Sequence, residues 1–425
     1  MAKFVTAQEA VKQIKSGDRV VVSHAVAEPQ TLLNAMIENA SAYKNVEIVH
    51  MVAMGKSAYC NPEYKDNFIH NALFIGGSTR GAYAEGRVDY TPAFFFEIPR
   101  LFKKKILPVD VALITVSPPD KFGYCSYGVS VDYTKPAAES AKMVIAQIND
   151  KMPRTGGDCF IHIDAVDYAV EVSEDIIQLP RPTLGEVDRK IGENCASLVK
   201  DGATLQLGIG ALPDAVLSFL GNKKDLGIHT EMFSDGVLEL VDKGVVTNKA
   251  KTLHNGKFIA TFLMGSRKLY DFVDQNPCVE MYPVDYVNDP SIIAKNYRMT
   301  SINSALQVDF MGQVNAESIG YKQFSGTGGQ VDYVRGTSFC EEGVSIIAFE
   351  STASKGTRSR IVPILDEGAT ITTSRNDVHY IVTEYGVADL RGKSLKNRAK
   401  ALIEIAHPDF RDTLTQQAKA RFGAF

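Results

Sequence analysis

The chain repeats itself. The stretch VKQIKSGDRVVVSHAVAEPQTLL, residues 11–33, returns as ASLVKDGATLQLGIGALPDAVL, residues 196–217. In both copies a helix-like segment ends at Lys-Ser-Gly or Lys-Asp-Gly, where Gly17 and Gly202 suit a left-handed helix C-cap. A strand follows, alternating at Val20 and Val22 in the first copy and at Leu205 and Leu207 in the second. A turn of small residues then reaches Pro29 or Pro213 and a second helix start, where a missing N–H is harmless.

Two ordinary strand–helix turns can match by chance, so the other strand candidates must agree. VEIVHMV, ALFIGG and VDVALITVS supply them in the first half, and KFIATFLMG, VSIIAFE and ATITTS in the second. Strands alternating with helices indicate βαβ units. A chain of 425 residues is also too long for one typical core. The expected fold is α/β: two similar open α/β domains with mostly parallel sheets, residues 1–180 and 181–425, joined near the Pro-rich LPRPTLG at 179–185. Ligands of such sheets sit outside the carboxyl ends of strands, and clefts between domains are favoured pockets. The active site is therefore expected in the cleft between the two domains.

Composition removes several function classes. A net charge of −4 gives no electrostatic footprint for nucleic acid or an anionic membrane. The start, MAKFVTAQEAVKQIKSGDRV, has no apolar signal core, and no run approaches the roughly 18–20 apolar residues of a membrane span. The six cysteines are far apart and form no CxxC, as expected of reduced, buried thiols in the cytoplasm. The eight histidines form no HxxxH or HxH pair, so no metal is expected.

Three loops and one acid stand out. QLGIGALPDAV (206–216) is a Gly-rich strand-to-helix turn, equally readable as a plain turn or a ligand loop. FSGTGGQVDYVRG (324–336) holds three glycines in four residues, able to offer N–H groups to an oxyanion or to form a hairpin. VTEYGVADLRGKS (382–394) puts Glu384 at a strand exit, with Asp389 or Ser394 available to cap a helix. In GIHTEMFSDGVLEL (227–240) three acids compete. Aligned with the first half, Ile228 matches Ile48, which sets Glu231 just beyond a short strand. Asp235 before Gly236 reads as a turn residue and Glu239 as solvent-facing helix, so Glu231 leads modestly on geometry.

The whole pattern resembles the acetyl-CoA hydrolase/transferase family of class I CoA-transferases, in particular its 4-hydroxybutyrate CoA-transferases and butyryl-CoA:acetate CoA-transferases. The resemblance runs nearly end to end and rests on GRVDYTPAFFFEIP, VSPPDKFGYCSYGVSVD, GIGALPDAV, HTEMFSDG, GTGGQVDY and VTEYGVADLRG, in the family's order. It implies that Glu231 is the nucleophile and that Gly328 and Gly329 contribute an oxyanion hole. It places Gly208, Ile209, Gly210, Gly326, Thr327, Gly328 and Asn303 near CoA, and Gln206 and Glu384 near the substrate. It implies a homodimer or higher homo-oligomer, with no permanently bound cofactor and no metal. The coenzyme A thioester enters as substrate. The partners implied are acyl-CoA and short-chain carboxylates, not nucleic acid or membrane.

The chemistry implied is a covalent relay. Glu231 would move CoA between acetyl-, butyryl- or 4-hydroxybutyryl-CoA and acetate, butyrate or 4-hydroxybutyrate. The path is ping-pong, through an acyl-glutamyl anhydride and a glutamyl-CoA thioester. A glutamate ordinarily ionises near pH ~4.3, so the nucleophile needs no general base. It needs oxyanion donors, remote CoA binding energy and exclusion of water. An acetyl-CoA hydrolase using the same glutamate is the nearest alternative, and a non-catalytic CoA-binding module a more distant one.

Overall fold

In the computed structural model, residues 2–208 and 210–424 are described. The chain divides into two compact units, Met1–Pro180 with Ile259–Val287, and Arg181–Phe258 with Asn288–Phe425. The break after Pro180 falls inside the Pro-rich segment. Residues 259–287 return to the first unit, which a single linear boundary does not capture.

The first unit is built on an eight-stranded sheet: β1 (Lys3–Phe4), β2 (Arg19–Val22), β3 (Val46–His50), β4 (Phe68–Ala72), β5 (Val88–Tyr90), β6 (Val111–Val116), β7 (Met143–Asn149) and β8 (Tyr168–Val172). Its order is β1-β8-β7-β6-β2-β3-β4-β5, and every pairing is parallel. The central strands β2 and β6 carry consecutive buried residues rather than an in–out alternation, as parallel strands covered on both faces do. Helix α1 (Gln30–Glu38) buries Leu32, Leu33 and Met36 against Val20, Val22 and Ile48. Each such side chain removed from water contributes about 1.5–3 kcal/mol. Helix α2 (Thr134–Ser140) lies between β6 and β7. The returning segment adds a strand, Val279–Met281, paired parallel with Gly156–Gly157.

The second unit holds β9 (Thr204–Leu207), β10 (Gly227–Ile228), β11 (Met299–Ser304), β12 (Val344–Ala348), β13 (Tyr380–Thr383) and β14 (Gly386–Asp389). Its order is β10-β9-β11-β12-β13-β14, parallel except for the antiparallel edge strand β14. Helices α3 (Glu186–Ser197), α4 (Ala211–Ser218), α5 (Gly236–Asp242), α6 (Gln330–Phe339) and α7 (Leu395–Glu404) complete what the site requires. Ile347, Ile381, Leu390 and Leu402 belong to its core.

Both sheets contain one doubly wound pattern. Counting β2, β3, β6, β7 and β8 as first to fifth, and β9 to β13 likewise, each runs second-first-third-fourth-fifth. The repeat is thus structural, and its registers agree: Val20 pairs with Ile48, and Leu205 with Ile228.

Several local expectations change. Gly17 and Gly202 are left-handed, at φ +82° and +72°, but the preceding helices end at Val11 and Ser197. They are turn residues, not helix caps. The strand near ALFIGG is β4, upstream at Phe68–Ala72, where His70 and Asn71 find partners in Ile48 O and Glu47. ATITTS forms no strand; Thr373 makes an isolated bridge to Val314. Ser394 caps α7 by accepting from Asn397 N–H. Five cysteines are free and buried, whereas the free Cys278 is exposed.

Candidate active site

All the loops of interest in the second unit leave the carboxyl edge of its sheet. Glu231 follows β10 by three residues and is half-buried. The preceding Thr230 fixes this exit: its hydroxyl accepts from Leu207 N–H at 3.3 Å and lies 3.2 Å from Leu207 O and 3.0 Å from Met232 O. The competing acids have other places. Asp235 is buried and precedes α5, its carbonyl accepting from Arg181 Nη2 at 3.0 Å. Glu239 is exposed on α5 and paired with Arg181.

The GTGG loop does not form a hairpin; it runs directly into α6. Gly328 is left-handed at φ +55°, and Gly329 caps the helix start. A Cβ built on Gly329 would overlap Glu231 Oε2 and Asn288 Nδ2. The glutamate carboxylate therefore occupies the volume a side chain would need, and only glycine fits. Asn288 Nδ2 donates to Glu231 Oε2 at 2.7 Å and to Asp332 Oδ2 at 3.1 Å. Asn288 and Asp332 are 0% and 1% exposed, so the bond between them lies in a dry interior where hydrogen bonds are strong, while the bond to Glu231 is partly buried. Asn288 precedes the helical turn Pro290–Ile293, which packs closely on α6 because Gly336 has no Cβ to strike Ile293. Tyr333 is fully buried beside them. Burial, with the charges of Glu231 and Asp332 adding to it, pushes its phenol well above the usual range.

The remaining candidates sit at the same sheet edge in separate groups. Gln206 on β9 and Asn303 on β11 face each other in a double amide contact at 3.1 and 3.4 Å. Glu384, one residue after β13, accepts from Ser351 N–H at 2.8 Å and from the Ser351 hydroxyl at 2.6 Å. Gly326 is buried, and the neighbouring Thr327 donates to the buried Glu317 at 3.1 Å, which anchors the GTGG loop. Gly210 is left-handed at φ +114° and precedes α4, while a Cβ at Gly208 would meet nothing within 4 Å. Ile209 lies outside the described residues.

Asn288 and Asp332 are absent from the sequence reading. Asn288 in VNDPSII looks like any residue of a helix-capping turn. Asp332 had a usable signal, since its Val-Asp-Tyr context at 331–333 recurs at 131–133 in the same place of the other unit. Among the described residues, no group of three or more His, Cys, Asp or Glu is arranged to hold a metal. No helix among them is long and apolar enough to cross a membrane.

These features define a duplicated, doubly wound α/β protein with a glycine-walled carboxylate at one sheet edge. The chain belongs to the acetyl-CoA hydrolase/transferase family, whose N-terminal domain matches residues 1–179 and whose C-terminal domain matches residues 265–418. It is 63% identical over 420 residues to a 4-hydroxybutyrate coenzyme A transferase of Clostridium kluyveri, covering 99% of this chain and 98% of the relative. A succinyl-CoA:acetate/propanoyl-CoA:succinate CoA transferase of Fasciola hepatica is 46% identical, over 95% of this chain and 85% of its own length. Among solved structures, a 4-hydroxybutyrate CoA-transferase from Porphyromonas gingivalis superimposes with a TM-score of 0.86 at 46% identity, covering 99% of this chain and 98% of that one.

Proposed function

We propose that Glu231 carries CoA between a short-chain acyl-CoA and a carboxylate acceptor, with 4-hydroxybutyrate the acceptor class favoured. The chain is a CoA-transferase acting on short-chain acyl-CoA thioesters, as its similarity to transferases over nearly its whole length supports. The 63% identity to the Clostridium kluyveri enzyme supports 4-hydroxybutyrate over the dicarboxylate named for the 46% relative.

The observation that carries the mechanism is the Glu231 carboxylate, held by Asn288 against Gly329. Asn288 Nδ2 fixes Oε2, which sets the direction in which the carboxylate faces the thioester in this reading. In the first step a Glu231 oxygen bonds to the thioester carbonyl carbon, the C–S bond breaks and CoA leaves as thiolate. The mixed anhydride is then attacked by that thiolate at the glutamyl Cδ, releasing the first carboxylate and leaving a glutamyl-CoA thioester. An incoming carboxylate reverses both steps. The start of α6 and the backbone of the GTGG loop supply N–H groups for the developing oxyanion. The open side of Gly208 leaves room for the thioester arm. Gln206, Asn303 and Glu384 complete the substrate wall in this reading.

The test is direct. Incubation with acetyl-CoA followed by borohydride or hydroxylamine is expected to modify Glu231, read by peptide mass spectrometry. Glu231→Gln and Glu231→Ala are expected to abolish butyryl-CoA formation from acetyl-CoA and butyrate; near-full activity in either would falsify the assignment. Accumulation of free CoA instead of butyryl-CoA would mark a hydrolase. A panel of acceptors including 4-hydroxybutyrate, butyrate and acetate ranks the substrates.

A further inference from the structure

We propose that Asp332 is a positioning residue, holding the Asn288 amide so that its N–H stays aimed at the Glu231 carboxyl through the whole reaction cycle. The proposal rests on the glutamyl mechanism above.

The amide of Asn288 has one nitrogen with two hydrogens, and the geometry spends them on two carboxylates. Nδ2 is 2.7 Å from Glu231 Oε2 and 3.1 Å from Asp332 Oδ2. The other end of the amide, Oδ1, is buried without a hydrogen-bond partner among the described residues. Turned over, the amide would set that oxygen against two carboxylates and withdraw its two N–H groups from them. With Glu231 ionised, either acid alone would favour the observed orientation. Acylation changes this. In the anhydride and in the thioester, Glu231 is a neutral ester-like carbonyl and no longer holds the amide strongly. Asp332 Oδ2 is not consumed in either step and still accepts the second N–H, and so keeps the first pointed at the oxygen that becomes negative when Cδ is attacked.

The duplicate unit supplies an independent observation. Val131-Asp132-Tyr133 stands before α2, between third and fourth strands, as Val331-Asp332-Tyr333 stands at the start of α6. Gly128 and Gly328 match as well, both left-handed at φ +62° and +55°. Asp132 is likewise fully buried, and it fixes a side chain from another element: it is 3.1 Å from His24 Nδ1 and accepts from Tyr133 N–H at 2.6 Å. The same position thus serves as an orienting carboxylate in both units, with a histidine in one and the amide of Asn288 in the other.

A mutant cycle on the full-length protein tests this, reading acetyl-CoA:butyrate exchange, both KM values and thermal midpoint. Asp332→Asn is isosteric, but its amide can donate to Asn288 Oδ1 and so permits the turned-over orientation. We expect Asn288→Ala to lower kcat on the order of 100-fold and Asp332→Asn to lower it about tenfold with both KM values within about twofold. In the Asn288→Ala background, Asp332→Asn is expected to have an effect of less than about twofold, because nothing is left to orient. Full additivity of the two changes overturns the proposal, as does unchanged kcat in Asp332→Asn or its failure to fold. Trapping of Glu231 in the unsubstituted protein is read in parallel. If Glu231 is never labelled the underlying mechanism fails, whereas labelling with additive mutants sinks only the role of Asp332.

Discussion

The two units are the same scaffold with two fillings. Each has the second-first-third-fourth-fifth strand order, a left-handed glycine before the third crossover helix, and a buried Asp-Tyr pair at that helix. Three residues beyond the second strand's matched isoleucine, the first unit carries Met51 and the second Glu231. Next to the left-handed glycine the first unit has Val129 and the second Gly329. In the first unit both positions are buried and apolar. In the second, one side chain has been removed and the other has become a carboxylate that fills the space. The acid of the second unit is held by the amide of Asn288.

The largest effect is expected from undoing the exchange. Gly329→Ala places a methyl group on Glu231 Oε2 and is expected to lower kcat by roughly 10²–10³-fold, measured by CoA exchange at saturating substrates. Retained activity would mean that the carboxylate works from somewhere else.

Acid should separate the units next. Burial holds His70 in the first unit down at about 4, and burial also lowers the fully buried His50 well below its usual value. In the second unit burial lowers His379 to about 4, but that side chain is only partly enclosed. An unfolded histidine titrates near 6.5, so between about pH 6.5 and 4 the unfolded chain binds more protons than the folded one. Stability falls as pH falls through that window, by up to roughly 3 kcal/mol for His70 alone. Hydrogen exchange followed by mass spectrometry across pH 7 to 4.5 is expected to show β3 and β4 losing protection before β9 and β11. His70→Gln should flatten the dependence, and an unchanged slope would remove burial of His70 as its source.

The two tyrosines give the smallest and sharpest contrast. Tyr133 donates to Val22 O at 2.8 Å and accepts from Met51 N–H at 3.2 Å, whereas the buried Tyr333 hydroxyl has no hydrogen-bond partner among the described residues. Tyr133→Phe is expected to destabilise by about 1–3 kcal/mol, since it strands two buried backbone groups. Tyr333→Phe is expected to change stability by less than about 0.5 kcal/mol or to raise it. Equal losses in denaturant titrations would break the comparison.

What was legible in the sequence follows from the range of the signals. The repeat could be read because its markers, Gly17, Gly202, Pro29 and Pro213, act on their own backbone. Their role as turn residues rather than caps could not, because helix ends depend on packing. Glu231 was legible as a strand-exit residue through the match of Ile228 to Ile48, which the strand registers reproduce. The strand at Phe68–Ala72 was misplaced because His70 and Asn71 look like loop residues until their partners on β3 are known. Asn288 reaches Glu231 across 57 residues of chain and Asp332 across 44 from Asn288, contacts that no local pattern encodes. The return of residues 259–287 to the first unit is hidden for the same reason.

That return also sets a timetable for biosynthesis. The first unit is not complete when residue 180 is made, because a strand and a helix of its own lie beyond residue 258. At about 5–20 residues per second, a nascent chain carries this unit unfinished for roughly 5–20 s while the second sheet's first two strands are made. Gly156 and Gly157 gain their strand pairing only once Val279–Met281 has been made. The order of synthesis and the order of completion are therefore interleaved, and Glu231 is in the chain before the first unit is complete.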